Sequence, residues 1–158
     1  MTRVVADPAA EVADVQGSAL VAQAFETISR RYVEGRHQIA AALVDANGVV
    51  HRGLHLDAMV GRAAVCAEAG ALSAARLLTS APLVMVAAVR YPKPSEKTGA
   101  RIVPPCGLCR EMLLDHAPDL QVVVPADGAV RILRLSQLLP AKYVGTKWPA
   151  PVLPPSTF

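Results

Sequence analysis

The run PLVMVAAV, Pro82 to Val89, constrains the fold of this chain more than any other stretch. It is continuously apolar and bounded by Pro82 and Pro92, which suits a buried central strand. The segments on either side read as helices. AVCAEAGALSAARLLTS (64–80) precedes it, rich in Ala and Leu, and CGLCREMLLDHA (106–117) follows it. A further helix is predicted from about Ala9 to Val33, where Leu20, Ala24, Ile28 and Tyr32 recur at helical spacing before a stop at Gly35.

Two hairpins complete the pattern. QIAAALVDANGVVHRGLHL (38–56) reads as two strands around the Asn47-Gly48 turn, and LQVVVPADGAVRILRL (120–135) as two more around Asp127-Gly128. Between the central strand and the last helix, YPKPSEKTGARIVPP (91–105) reads as a loop by its Pro, Gly and charge content. The order is helix, strand, strand, helix, strand, helix, strand, strand. That order predicts an α/β layer sandwich with a mixed sheet. No repeat or linker divides the chain, so one domain over 1–158 is expected. Its proline-rich tail starts near residue 147, where WPAPVLPPSTF cannot form a regular helix.

Composition narrows the function. The chain is 53% hydrophobic and 18% charged, with a formal net charge of +3. No basic run dominates, which argues against a nucleic-acid polymer as partner. The apolar runs are too short to span a bilayer, and the first fourteen residues carry acids where a secretory leader needs an apolar core. A cytoplasmic address is expected. Thiols stay reduced there, and three cysteines cannot all pair within one chain, so metal binding or catalysis is the better use for them.

All three cysteines fall at predicted helix starts: Cys66 in VCAEAG, and Cys106 and Cys109 in PCGLC. Helix N-termini carry free N–H groups and partial positive charge, which favour the thiolate, the metal-binding form. Three thiolates without an obvious fourth ligand describe an open zinc site, the kind that keeps one position for water. Glu68, two residues from Cys66, is the natural proton carrier. Two rivals stand beside this reading. A disulfide-exchange role for CGLC would leave Cys66-Ala67-Glu68 unexplained and lacks the aromatic usual before such a motif. A structural zinc module, not an enzyme, would need a fourth ligand such as His55 or His116.

The pairing of C-A-E with P-C-x-x-C is the zinc deaminase signature. On VCAEAG, PCGLCREMLLDHAPDLQVVV and LLPAKYV, the chain resembles the cytidine deaminase superfamily from about Ile39 to Val144, in particular the small cytidine deaminases and blasticidin-S deaminase. The resemblance implies a three-layer α/β/α sandwich with a five-stranded mixed sheet. It implies Zn2+ on Cys66, Cys106 and Cys109, Glu68 as the catalytic acid–base, and backbone contacts from Ala67 and Pro104 to the base ring. It also implies hydrolytic release of ammonia from a small aminated pyrimidine nucleoside or nucleoside-like base. A homotetramer is expected, with a dimer as second choice. Arg110 follows the last ligand, where a hydrogen bond to a thiolate and a solvated first-turn arginine are both open readings.

The departures concern the substrate. The family's sugar-binding G-x-N-x-E reads here as GLHLD (53–57), so His55 and Asp57 replace Asn and Glu. The aromatic of F-x-V-G-A-A is absent from HQIAAA (37–42). The LLP-x-x-Y-V segment is closest to blasticidin-S deaminase and offers Tyr143 as a substrate contact, with Trp148 nearby. A blasticidin-type aminonucleoside deaminase is therefore the alternative.

Overall fold

The computed structural model describes residues 5–148. Six strands form one sheet: β1 (Ile39–Asp45), β2 (Val50–Leu54), β3 (Leu83–Arg90), β4 (Arg101–Ile102), β5 (Gln121–Ala126) and β6 (Ala129–Arg134). Five of them run in the order β2-β1-β3-β5-β6. The pair β3–β5 is parallel and the others are antiparallel. A parallel neighbour needs a crossover, which α3 (Gly107–His116) supplies.

Helix α1 (Val15–Arg31) covers one face and α2 (Ala67–Leu78) with α3 the other. Strand alternation sorts the core between them. Ala40, Ala42, Val44, Met85, Ala87 and Val89 meet Leu20, Val21, Ala24 and Ile28 of α1. Ala41, Leu43, Val86, Ala88, Val122 and Val124 meet Ala67, Ala71, Leu72, Leu113 and Leu114 of α2 and α3. The Pro82–Val89 run is apolar throughout because both its faces are buried. This is the expected three-layer mixed-sheet sandwich.

Three local features differ from the sequence reading. The first helix does not begin near Ala9. Pro8–Glu11 forms a separate 3-10 turn, and α1 starts after Asp14, whose carboxylate accepts from the Gly17 amide at 2.7 Å. A side-chain acceptor at an N-cap satisfies a free amide and sets the boundary. The 91–105 segment is not wholly loop, because β4 pairs with the end of β3 through Val89↔Ile102 and Arg90↔Arg101. The first hairpin is held by more than its turn. Asp45 accepts from the amides of Asn47 and Val49 and lies 2.9 Å from His51 Nε2, with both side chains buried. The second hairpin turns as expected, with Asp127 and Gly128 at φ 50° and 75°. Of the proline-rich tail, only Lys147 and Trp148 fall among the described residues.

One close approach fixes α2 against the sheet. A Cβ on Gly53 would collide with the carbonyl oxygen of Ala67 and the amide nitrogen of Ala71. Only glycine lets the first turn of α2 lie against β2 in this way.

Candidate metal centre and active site

Cys66 is the N-cap of α2 and Cys106 the N-cap of α3, and Cys109 sits in the first turn of α3. Both helices lie on the same face of the sheet, so their N-termini converge. The three Sγ atoms lie within 4.8 Å of one another, with Cys66 and Cys106 3.6 Å apart. A tetrahedral centre with Zn–S bonds of about 2.3 Å requires sulfurs about 3.8 Å apart. The spacing fits zinc, and no histidine or carboxylate joins the group among the described residues.

The lowering of thiol pKa expected at helix starts is found at Cys106 alone. Burial, followed by the neighbouring Cys106 thiol, raises the pKa of Cys66. Burial and the charge of Glu68 push Cys109 up much further. At Cys106 burial opposes ionisation, but the amides of Cys109 and Leu108 with the two other thiols outweigh it, so its pKa falls. Three thiolates beside a carboxylate repel one another, and a divalent cation is the group that would offset this.

Glu68, on the first turn of α2, is 5% exposed. Its Oε2 lies 3.7 Å from the Cys109 sulfur. Burial raises its pKa above the ordinary carboxyl value. A buried carboxyl beside a donor set of this kind is placed to take up and pass on a proton.

The other sequence-derived residues divide into two groups. Ala67 is buried on the first turn of α2, and Pro104 stands exposed two residues before Cys106. His55 and Asp57 flank Leu56, which pairs with Val65 through two backbone hydrogen bonds, immediately before Cys66. The GLHLD segment is thereby carried to the cysteine cluster. His55 Nδ1 accepts from the Gln38 amide at 3.4 Å, and Asp57 caps the Ala58 amide at 2.8 Å. Tyr143 is 80% exposed, and its hydroxyl has no hydrogen-bond partner among the described residues. Arg110 donates not to a thiol but to the carbonyls of Pro105 at 2.8 Å and Leu138 at 2.9 Å. It brackets the Pro104–Pro105 turn to the strap after β6. His116 lies at the far end of α3, its ring against Trp148, so it cannot complete the sulfur group.

Two positioning features escaped the sequence reading. Lys142 lies between Glu111 at 2.9 Å and Asp115 at 2.8 Å, clipping the LLPAKYV strap to α3. A carboxylate at 111 and another at 115, one helical turn apart, was the available signal. Arg90 and Glu96 form a two-fold ion pair, both bonds 2.7 Å, that folds the 91–96 loop back onto β3.

No family model matches the chain. It is 35% identical over 125 residues to the blasticidin-S deaminase of Bacillus cereus, spanning 78% of this chain and 89% of the relative. It is 31% identical over 127 residues to the cytidine deaminase of Halalkalibacterium halodurans, spanning 78% and 91%. Among solved structures, the cytidine deaminase of Mycobacterium tuberculosis superposes with a TM-score of 0.66 at 25% identity, over 83% of this chain and 99% of that one. The cytidine deaminase of Bacillus anthracis, at 20% identity, shares the fold with a TM-score of 0.68 over 82% and 90%.

Proposed function

We infer the reaction from one premise: the chain belongs to the cytidine deaminase superfamily. It is a hydrolytic deaminase, an enzyme that cleaves a carbon–nitrogen bond. Our reading of its site is that Cys66, Cys106 and Cys109 hold zinc and Glu68 moves the protons. The observation that carries this reading is the convergence of three thiols on two helix N-termini beside a buried carboxyl.

When bound, zinc supplies the Lewis acidity that makes water a usable nucleophile near neutral pH. The residues of the chain do the rest. Glu68 takes a proton onto a carboxyl oxygen and passes it to the ring nitrogen beside the carbon under attack. A second transfer lets the exocyclic amine leave as ammonia, so that water and the aminated ring become the keto ring and ammonia. Burial keeps the carboxyl in one place, next to Cys109, and raises its affinity for the proton it takes up. The backbone of Ala67 and Pro104 holds the ring, and His55 and Asp57 face the group attached to it. Tyr143 closes the site from the strap that Lys142 anchors.

The substrate is a small aminated pyrimidine nucleoside or nucleoside-like base. A second reading, a blasticidin-type aminonucleoside, is favoured by the 35% identity to that enzyme and by the L-L-P-x-x-Y-V segment. Ammonia release across cytidine, deoxycytidine, cytosine and aminonucleoside antibiotics separates the two. Turnover of the antibiotics alone would select the second reading, and turnover of none would remove both.

The working assembly is a homotetramer in the cytoplasm, with a dimer as second choice. Exposed Met59, Val60 and Leu108, which adjoin the GLHLD and PCGLC segments, are the apolar surface such an assembly would cover. Among the described residues no helix is long and apolar enough to cross a membrane. Light scattering at micromolar concentration tests the assembly, and a monomer would refute it.

A further inference from the structure

The end of α1 and the edge strand β2 border an open cleft of about 550 Å3, within the range of sites for small organic ligands. Its lining is one-sided in charge. Arg30, Arg31, Arg52 and His37 line it, and no carboxylate does. Glu26, outside the lining, is 2.9 Å from Arg30 and 3.4 Å from Arg52, and Arg31 has no ion pair among the described residues. The C-terminal end of α1 and nearby Glu34, whose charge is felt at cleft-lining Tyr32, reduce the positive excess without cancelling it.

Arg52 is also held in place, donating to Gln23 Oε1 at 3.0 Å and lying 3.5 Å from Thr27 Oγ1. A fixed planar guanidinium matches the oxygens of a phosphate or carboxylate. The cleft lies on the α1 face of the sheet, opposite the cysteine cluster, but at the same end of β2. Gly53 and Leu54 line it, and the same stretch continues through His55 and Asp57 to the pairing of Leu56 with Val65 beside Cys66. His37, in the cleft wall, donates from Nδ1 to the His55 carbonyl at 2.9 Å, so the two regions share a hydrogen bond.

We propose that this arginine-lined cleft is a binding subsite for an oxyanion, a phosphate or carboxylate carried by a small molecule. The site stands on its own charge and shape. Only the origin of the anion, a group on the deaminase substrate or a separate small anion, rests on the function proposed above.

Calorimetric titration of the native protein with inorganic phosphate at low ionic strength is the test. The expected result is saturable binding that weakens as salt is raised. It should weaken at least tenfold in Arg31→Gln and in Arg52→Gln, and stay unchanged in Arg131→Gln on β6, outside the cleft. Arg31 is exposed and unpaired, so its removal leaves the fold intact, which a thermal melt verifies. No saturable binding, or binding equal in all three variants, would overturn the proposal. Kinetics then assign the source. If phosphate raises KM for the deaminated substrate with kcat unchanged, the anion site is part of substrate recognition. If phosphate binds and KM does not move, the ligand is a separate anion. Should no deaminase substrate be found, the calorimetry still decides the site.

Discussion

Replacing Gly53 by Ala should unseat the active site without touching any of its reacting groups. The new Cβ would strike the Ala67 carbonyl and the Ala71 amide, both backbone atoms of α2. No rotamer change can relieve such a clash, so the helix must back away from β2. Overpacking of this kind costs about 1–3 kcal/mol and sometimes more. For a domain of this size that corresponds to a fall in Tm of roughly 2–12 °C. The displaced turn carries Cys66 and Glu68, so zinc affinity should fall as well, by about 10–100-fold if the change acts as loss of support around a metal site usually does. Calorimetry reads the first effect, and competition with a chromophoric chelator the second. Gly70→Ala is the matched control. Its Cβ would stand 3.4 Å from the Gly53 Cα, an ordinary contact, and alanine in mid-helix gains about 0.5–1 kcal/mol over glycine. Stability and zinc affinity unchanged in Gly53→Ala would refute the close seating of α2 on β2.

Lys142→Met removes both ion pairs of the strap. Hydrogen exchange should quicken across residues 135–143, with zinc content unchanged, and unaltered exchange would count against the clip. The Arg90 guanidinium, with some loss to burial, holds the Glu96 carboxyl at about 2 instead of its usual 4.5. Since the folded value is the lower one, the stability from this pair is complete above about pH 4.5 and is lost as pH falls towards 2. Acid titration of stability should therefore flatten over that window in Glu96→Gln, and an unchanged profile would exclude the pair as its source.

The layers of the fold were legible because burial writes itself into sequence. Pro82–Val89 is apolar at every position because α1 lies on one face and α2 with α3 on the other. The cysteine cluster was legible for a related reason. Each cysteine stands at a helix start, and two helices on one face of a sheet bring their starts together. What stayed hidden depends on contacts between distant segments. Asp14 sets the start of α1 through a cap that periodicity does not register. Two-residue β4 is too short to leave a strand pattern and exists only because β3 offers it an edge. Arg110 could be read as a thiolate partner or as a solvated arginine, but its guanidinium reaches the Leu138 carbonyl, which comes near only once the strap has folded over α3. Gly53 looked like the first residue of a substrate segment, and its packing against Ala67 appears only with α2 in place.

The most direct test of the central claim is ammonia release by Glu68→Gln on the substrate selected by the panel, with zinc measured in the same sample. Glutamine keeps the shape of the side chain and removes its proton. The expected result is zinc content equal to that of the native protein and turnover lower by on the order of a hundredfold or more. Substantial turnover at full zinc occupancy would contradict the assignment of proton transfer to Glu68, and with it the reading of the converged thiols and buried carboxyl as one catalytic site.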